Sequence, residues 1–207
     1  MISPQVKEFF PHDTIREGQR ELIVDIEKAL NDEKILLAHA PTGLGKTASA
    51  LSVAVQKAIE KKKVIFFLTN RHTQHKIAID TLKEISRKTG KNITTVDLIG
   101  KRWMCSQAIA GLFGTDFNEF CKSVIEKGEC EFYNNIRTKK GISVNAQAFI
   151  KELKHRGPLH NEELIVAGKE RKMCSYELAL ELAKNATIII GDYYYLFNSF
   201  VQSTLFT

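Results

Sequence analysis

Short apolar runs alternate with helix-like segments along the first part of the chain. The apolar runs cover residues 34–40, 64–69 and 93–100 and have the length that is typical of buried strands. The segments between them, 46–60 and 73–88, have the apolar spacing of amphipathic helices. Because strands and helices alternate, the pattern predicts parallel strands joined by right-handed helical crossovers, which is an α/β fold.

A further amphipathic helix is predicted upstream of the first apolar run, at residues 14–30. Its apolar residues recur at steps of three, four and seven positions. Thr14 and Glu17 have the spacing of a capping box, which predicts Thr14 as the N-cap of this helix.

The alternation stops over residues 101–174. Helix-like pieces occur at 116–127 and 143–155, but the pattern indicates no strand of the sheet there. The alternation resumes with a helix at 175–185 and an apolar run at 186–192. A segment of some 70 residues is therefore predicted to be inserted between two elements of one sheet.

The length of 207 residues suits one large domain with such an insert. We therefore divide the chain into a first sheet-forming part, an insert, and a return to the sheet: residues 1–100, 101–175 and 176–207.

A glycine-rich turn, HAPTGLGKT at residues 39–47, joins the apolar run at 34–40 to the helix predicted at 46–60. Glycines let a backbone approach phosphate oxygens closely, and the N–H groups at the start of the following helix bind the anion. Lys46 is predicted to reach the β- and γ-phosphates and the Thr47 hydroxyl to bind Mg²⁺, so these two residues are the predicted catalytic pair. The predicted nucleotide-binding residues of this turn are Ala40, Pro41, Thr42, Gly43, Leu44, Gly45, Lys46 and Thr47.

The alternative interpretation is an ordinary strand-to-helix turn. The usual phosphate-loop frame begins with glycine, whereas this one begins with Ala40. The position of the turn between a strand and a helix favours the nucleotide site, because that context is what the motif requires.

The chain is basic, with a net charge of +6 and a pI of about 9.1. Residues 101–174 hold 13 Lys/Arg and 9 Asp/Glu and so carry +4 of that charge. The excess suits a polyanionic partner such as nucleic acid, although a solvated lysine-rich surface gives the same composition. No apolar run approaches the roughly 18 residues of a membrane span, and the N-terminus does not read as a signal peptide, so we expect an intracellular, cytoplasmic or nucleoid-associated protein with no membrane partner.

All of the cysteines lie in the insert: Cys105, Cys121, Cys130 and Cys174. Free cysteines are often small buried hydrophobes, but these four are absent from the sheet segments and bracket the insert. A disulfide is not expected in a reducing compartment. Zinc or an iron–sulfur cluster remains as the group that four thiolate ligands would bind. The intervals of 15, 8 and 43 residues contain no CxxC pair, so a zinc ribbon fits poorly and a cluster fits better.

Several stretches match the motifs of one known family in order and spacing. IREGQ, with Arg16 and Gln19, has the form R-x-x-Q, and APTGLGKT follows it as a phosphate loop. FLTNRHTQ, at residues 67–74, is similar to a strand-end motif of that family. GKRWMC, CEFYNN and CSYE resemble the cysteine contexts of its cluster domain, and DYYYLFN resembles the stretch that follows it.

The chain thus resembles the iron–sulfur superfamily 2 helicases, which comprise the XPD helicases and their archaeal and DinG relatives. The resemblance implies an incomplete RecA-like P-loop domain, a parallel sheet flanked by helices, with an inserted helical and loop-rich iron–sulfur domain. Its implied cofactors are ATP, Mg²⁺ and a 4Fe–4S cluster on the four cysteines. Family members often have proline where Glu131 and Ser175 follow the third and fourth cysteines here, which leaves the local loop shape open.

The resemblance also implies roles for individual residues. Arg16 and Gln19 would contact the nucleotide, with the Gln19 amide pairing with adenine; the alternative is a solvent-facing helix glutamine. The partner would be single-stranded or forked DNA, and 5′-to-3′ translocation on it is the implied activity. The predicted DNA-binding residues are Arg71, Thr73, Gln74, Lys101, Arg102, Tyr133, Lys139 and Lys140.

Two of these assignments have structural alternatives. Thr73 is also a reasonable helix N-cap. Trp103, Phe132 and Tyr133 stand beside cysteines and can either stack on bases or pack around the cluster, and packing is our preferred interpretation for Trp103 and Phe132.

No DEAH or DExD motif occurs in the 207 residues, although hydrolysis in this family depends on one. Asp192 ends an apolar run and is a weak rival for the metal carboxylate, since no glutamate follows it. We therefore expect the N-terminal part of a helicase, truncated before its DEAH motif and without the second RecA-like lobe. Such a chain is expected to bind ATP weakly and to be inactive as a motor.

Two other functions fit parts of the sequence. One is a non-enzymatic iron–sulfur or zinc module that binds nucleic acid or senses redox state and carries a vestigial P-loop. The other is a P-loop kinase or other small NTPase, which suits the length but leaves the cysteines unexplained.

Overall fold

A parallel three-stranded sheet forms the centre of the fold. The computed structural model describes residues 1–111 and 113–206, so Thr207, at the end of the predicted return segment, lies outside the described residues. A separate two-stranded antiparallel hairpin lies in the insert. The strands are β1 (Ile65–Leu68), β2 (Thr95–Asp97), β3 (Arg137–Thr138), β4 (Gly141–Ile142) and β5 (Ile188–Gly191).

Helices account for most of the remaining regular structure, both around the sheet and within the insert. They are α1 (Pro4–Phe9), α2 (Glu17–Asn31), α3 (Lys46–Lys61), α4 (His72–Thr89), α5 (Gly114–Glu126), α6 (Glu131–Asn134), α7 (Val144–His155), α8 (Asn161–Glu170), α9 (Ser175–Ala183), α10 (Tyr194–Phe197) and α11 (Ser199–Phe206).

The strand order in the sheet is β1–β5–β2, with all pairs parallel. Ile188 of β5 pairs with Ile65 on one side and with Thr95 on the other. The strand that follows the insert therefore lies between the two strands that precede it. This order confirms the predicted α/β class with helices flanking a parallel sheet.

Both faces of the central strand are buried, which explains its uninterrupted apolar sequence. Ile188 and Ile190 pack in one cluster with residues of α3 and α4, such as Leu51 and Ile79. Ile189 points to the opposite face and belongs to the larger cluster that α7 and α9 complete. A strand covered on both faces loses the alternation of apolar and polar residues, as is usual in parallel sheets.

The predicted strand at residues 34–40 is wrong. The segment has no regular structure, and Ile35 and Leu37 are 95% and 94% exposed. A strand exists only where a neighbouring backbone accepts and donates its hydrogen bonds, and none of the described strands pairs with this segment. The apolar run thus has the composition of a buried strand but no partner among residues 1–111 and 113–206.

The start predicted for the helix at residues 14–30 is also wrong, by about one turn. α2 begins at Glu17 with Arg16 as its N-cap, and the Arg16 backbone N–H donates to Oε1 of Gln19 at 3.0 Å. Gln19 therefore takes the capping role that the sequence pattern assigned to Thr14 and Glu17. The consequence is that the R-x-x-Q element is itself the start of the helix.

An ion-pair group fastens the hairpin of the insert to α9. The Arg137 guanidinium of β3 lies 2.8 Å from Oε2 of Glu177 and 2.7 Å from Oε1 of Glu181. Both carboxylates are largely buried, with side chains 10% and 6% exposed. Burial lowers the pKa of Arg137, but its hydrogen bonds and charge interactions with the two glutamates raise it overall.

Candidate functional site

The glycine-rich turn is a tight loop that delivers the chain into α3. Gly43 and Gly45 have φ values of +84° and +88°, a region that residues with side chains rarely adopt. Lys46 is the first residue of α3, and its Nζ donates to the backbone oxygens of Ala40 at 2.9 Å and Pro41 at 2.8 Å. The ammonium group is therefore held over the loop. The N-terminus of α3 lies beside it, and a positive side chain next to a helix N-terminus is an arrangement that favours binding of an anion.

The R-x-x-Q element packs directly against this loop. Gln19 is only 4% exposed, so the alternative of a solvent-facing glutamine is wrong. The Arg16 guanidinium donates to the backbone oxygen of Gly43 at 3.5 Å, and the Gln19 amide lies where a side chain on Gly45 would be. The structure thus brings Arg16 and Gln19 to the loop that contains Thr42, Leu44 and Thr47.

Gly45 is expected to tolerate substitution less well than Gly43, although both have a positive φ. Alanine at Gly43 meets no atom within 4 Å, so G43A is expected to cost about 1 kcal/mol from backbone strain alone. Alanine at Gly45 would also displace the Gln19 amide, and because this buried side chain caps α2, we expect a further cost of roughly 1 kcal/mol. Urea denaturation of the two variants measures the difference; equal midpoints would contradict the packing of Gln19 on the loop.

All four cysteines line one cavity of about 120 Å³ in the insert. Cys121 and Cys130 are buried, Cys105 and Cys174 are half-buried, and all four are free thiols. They come from the loop before α5, from α5 itself, and from the residues that precede α6 and α9. Residues that are 69 positions apart in the chain, Cys105 and Cys174, therefore meet at one place.

The thiols share this cavity with aromatic and basic side chains. Burial raises the pKa of Cys174 to about 11 and also raises the pKa of Cys105. Burial lowers the pKa of Lys101, but the neighbouring Cys121, Glu177 and Cys174 raise it above its ordinary value overall. Lys101 thus lies in the cavity wall, with its Nζ 5.7 Å from the centre of the Tyr176 ring.

The arrangement of the four thiols can be compared with what a single metal ion and what an iron–sulfur cluster would require. In the part of the chain that the structure describes, no three or more His, Cys, Asp or Glu side chains form a group that could hold a metal ion. A single zinc ion needs its sulfur ligands about 2.3 Å from one point. A cluster binds each thiolate at a different iron atom, so it accepts ligands that are distributed around a larger cavity. The four thiols thus line one cavity without forming a ready site for a single ion among the described residues.

A second cavity, of about 330 Å³, opens at the carboxyl ends of the sheet strands. Thr69 follows β1, Ile99 and Gly100 follow β2, and Asp192 follows β5 in its wall. Ligands of open α/β sheets bind at this edge. We call this cavity the strand-end cleft.

Two predicted DNA-binding segments meet at the strand-end cleft. Arg71 is the N-cap of α4, so the interpretation of Thr73 as the N-cap is wrong, and Thr73 lies exposed in the first turn beside the half-buried Gln74. His72, which lies between Arg71 and Thr73 in the sequence, lines the cleft together with Trp103. The first turn of α4 and the turn that contains Lys101 and Arg102 therefore border the same opening.

Trp103 does not pack around the cysteines. Its side chain is 59% exposed, lines the strand-end cleft, and has the Arg102 guanidinium 4.3 Å from the centre of its ring. Our preferred interpretation of packing is therefore wrong for Trp103. Phe132 and Tyr133, by contrast, line the cysteine cavity.

The remaining predicted basic residues lie elsewhere on the insert. Lys139 and Lys140 are exposed in the turn between β3 and β4. Asp192, the weak rival for a metal carboxylate, accepts a hydrogen bond from the backbone N–H of Tyr194 at 3.0 Å, which is a common turn contact.

Sequence reasoning missed two residues of the strand-end cleft, His72 and Tyr194. Tyr194 is 65% exposed and follows β5 by three residues, while His72 begins α4. Both positions were available from the rule that side chains just past parallel strands converge at one edge. The family resemblance implied Arg71, Thr73 and Gln74 instead.

The fold and the site together define an α/β lobe that carries a glycine-rich loop at the start of α3 and a cysteine-bearing segment between two neighbouring strands. A family model described as DEAD_2 matches residues 67–206, which is well over half of the chain. The chain therefore belongs to the DEAD_2 family and is similar in sequence and fold to part of XPD-like helicases.

Individual relatives agree with this assignment. A probable ATP-dependent helicase of Methanocaldococcus jannaschii is 30% identical over 96 residues, covering 46% of this chain and 14% of the relative. The XPD helicase subunit of general transcription and DNA repair factor IIH from Arabidopsis thaliana is 23% identical over 215 residues, covering 91% of this chain and 27% of the relative. The solved structure of an XPD helicase matches with a TM-score of 0.61 and 22% identity, covering 94% of this chain and 30% of that one. The chain thus spans under a third of the length of each of these proteins.

None of the helices in the described residues combines the length and the apolar character that crossing a membrane requires.

Proposed function

We propose that this chain is the N-terminal part of an ATP-dependent 5′-to-3′ DNA helicase whose first RecA-like lobe carries an inserted 4Fe–4S domain. The observation that carries the proposal is the convergence of Cys105, Cys121, Cys130 and Cys174 on one cavity. That convergence lies in an insert between two neighbouring strands of a sheet that also bears a phosphate loop. The domain boundaries that we propose are those predicted from the sequence, with the insert at residues 101–175.

The cluster would be held by the four thiols, with Phe132 and Tyr133 shielding it from water. A bound cluster supplies metal–thiolate bonds, and these contribute to folding where a segment has little core of its own. Lys101 faces the thiols, so we assign it to the cluster cavity rather than to direct contact with DNA. The role of the cluster is structural or redox-sensing, since it lies apart from the phosphate loop.

ATP and Mg²⁺ would bind at the loop of residues 40–47. Lys46 would exchange its two backbone acceptors for phosphate oxygens, and Thr47 would supply its hydroxyl to the metal. Arg16 and Gln19 border the loop and would contact the remainder of the nucleotide. The 207 residues contain no DEAH motif, so we expect no ATP-driven strand separation by this chain alone.

Single-stranded or forked DNA would follow the strand-end cleft. Arg71, Thr73 and Gln74 would contact its backbone with Arg102, and the exposed ring of Trp103 would stack on a base. Lys139 and Lys140 would extend the basic surface along the insert. Action on DNA implies an intracellular protein, and motor activity would require a second RecA-like lobe.

Binding to fluorescently labelled oligothymidine tests the DNA assignment. R71A is expected to weaken binding and to reduce the slope of log K against log salt by about 0.7, because one phosphate contact is lost. W103A is expected to weaken binding by about 1–3 kcal/mol without a change in that slope, because stacking is not ionic. Fluorescence anisotropy at several salt concentrations measures both quantities.

The matched control is R87A, which removes an exposed arginine from the last turn of the same helix. It is expected to leave both affinity and salt slope unchanged. Equal losses in R71A and R87A would show that the helix contributes only general positive charge, and the proposed path along the cleft would then be wrong.

A further inference from the structure

Asp97, the last residue of β2, is a buried carboxylate that contacts both α4 and the insert. Its side chain is fully buried, and its Oδ1 lies 2.6 Å from Nδ1 of His75 in α4. Its Oδ2 accepts hydrogen bonds from the backbone N–H of Asn161 at 3.0 Å and from the Asn161 side-chain amide at 2.6 Å. Asn161 is the first residue of α8, so one side chain joins the sheet to two helices from different parts of the chain.

The surroundings of His75 indicate an ion pair rather than a neutral contact. Its second ring nitrogen, Nε2, faces the backbone oxygen of Thr69 at 3.4 Å. Both ring nitrogens thus face acceptors, which suits an imidazolium that donates at both positions. Burial lowers the pKa of His75, but the hydrogen bond to Asp97 and its charge raise it above the ordinary value overall.

Other titratable groups also face this pair. His72, on α4, has its ring centre 5.5 Å from that of His75, and Asp192, after β5, contributes a favourable charge. From the N-cap of α8, Nε2 of His160 lies 3.6 Å from Oδ2 of Asp97. The negative charges of Asp97 and Asp192 favour the protonated form of His75.

A buried carboxylate of this kind fixes geometry. Burying a charge costs several kcal/mol, and that cost is offset only when the partners are held at hydrogen-bonding distance. Any displacement of α4 or α8 away from β2 leaves an unpaired charge in the interior. An exposed ion pair, Lys83 with Glu163 at 2.8 Å, joins the same two helices, but exposed pairs contribute little.

We propose that Asp97 is a positioning residue that holds the first turn of α4 in a fixed relation to the inserted segment through α8. His75 lies one turn after Arg71 and next to Gln74, so its anchoring to Asp97 orients the turn that borders the strand-end cleft. Because Asp97 contacts both helices, a movement of α8 would be transmitted to the first turn of α4 through the Asp97 carboxylate. The consequence for DNA binding rests on the proposed function, whereas the link between the two helices does not.

Hydrogen–deuterium exchange of the full chain tests the link. D97N keeps the size of the side chain but removes the charge and one acceptor. We expect amide exchange to rise more than about tenfold in the first turns of both α4 and α8, because one partner of a buried pair is lost. K83Q, which breaks the exposed bridge between the same helices, is expected to leave both turns unchanged. An increase confined to one helix, or equal effects of the two variants, overturns the proposal.

Nitrogen-15 NMR of labelled histidine in the wild-type chain provides a test that does not depend on how well a variant folds. In the wild-type chain we expect His75 to stay protonated on both ring nitrogens at pH values above about 6.5, the ordinary histidine value. In D97N we expect the neutral form with its proton on Nε2, which faces the oxygen of Thr69. A neutral His75 in the wild-type chain at pH 6 overturns the proposed ion pair.

The stability of the chain should follow the same titration. Because the pKa of His75 is raised on folding, the stabilising contribution is complete below about pH 6.5 and is lost as pH rises through the folded-state value. The difference in Tm between the wild-type chain and H75Q is therefore expected to be largest near pH 6 and to shrink towards pH 9. A difference that does not change with pH contradicts the ion pair.

Binding to oligothymidine separates this proposal from the proposed function. D97N is expected to weaken binding about fivefold, and K83Q is expected to leave it unchanged. If D97N loosens both helices but binds the oligonucleotide as tightly as the wild-type chain, the role of Asp97 in DNA binding is wrong. If the wild-type chain does not bind, the proposed DNA function fails, and the exchange result still decides whether Asp97 links the helices.

Discussion

Replacing Cys121 with serine is expected to abolish assembly of the proposed iron–sulfur cluster. Cys121 lies on α5 and faces the cavity that the other three thiols share, and a serine hydroxyl is a poor replacement for a thiolate ligand of iron. After anaerobic reconstitution, the wild-type chain is expected to contain about four iron and four sulfide per molecule and to be brown. C121S is expected to be nearly colourless, and iron and sulfide assays with visible absorbance measure the difference.

Loss of the cluster is also expected to destabilise the insert, because metal–thiolate binding contributes on the order of 10 kcal/mol in small metal domains. The control is S123A, which removes a hydroxyl from the same helix two residues away. It is expected to keep the full iron content. A wild-type chain that purifies colourless with one zinc, and that does not take up iron and sulfide, would contradict the proposed cluster.

Replacing Lys46 with alanine is expected to remove the binding of Mg·ATP. Lys46 provides the one side-chain ammonium of the glycine-rich loop, and its position over the Ala40 and Pro41 oxygens places it where phosphates would be bound. Charge-assisted hydrogen bonds to phosphate are among the strongest polar contacts, so we expect a loss of at least about 100-fold, or about 2.7 kcal/mol. Titration of a fluorescent ATP analogue measures the affinity, which we expect to be weak even in the wild-type chain.

The control for this experiment is K61A, which removes an exposed lysine from the last turn of the same helix. Its affinity is expected to equal that of the wild-type chain. Retained binding in K46A would show that the turn is an ordinary strand-to-helix connection and that nucleotide, if bound, is held elsewhere.

Much of the fold could be predicted because its signals are local. β1, β2 and β5 and the helices α3, α4, α7 and α9 were all predicted from the spacing of apolar residues, with ends displaced by a few positions. The strand order could not be predicted in this way. Pairing of Ile188 with both Ile65 and Thr95 is set by contacts across about 90 residues and more, and no local pattern encodes them.

The wrong prediction at residues 34–40 has the same cause. An apolar run indicates that a segment prefers burial, but a strand also needs a hydrogen-bonding neighbour, and that neighbour is not encoded in the run itself. The prediction for Trp103 failed for a related reason. Its place beside Cys105 in the sequence suggested a shared environment, whereas the turn at Gly100 directs the ring to the strand-end cleft.

The candidate sites were predictable to different degrees. The phosphate loop is continuous in sequence, so its residues could be named individually. The four cysteines could be named because their residue type is rare, although their convergence could be established only in three dimensions. The group of His75, Asp97 and Asn161 was missed entirely, because ordinary residue types at separations of 22 and 64 positions carry no motif.

The central place of β5 has a consequence for the order in which the molecule forms during synthesis. β1 and β2 do not pair with each other, and the strand that separates them emerges from the ribosome 91 residues after the end of β2. At about 5–20 residues per second, the two outer strands wait roughly 5–20 s for their common neighbour. Cys174, the last of the four cysteines, is made only 14 residues before Ile188, so the complete cysteine set precedes the central strand by just about 1–3 s.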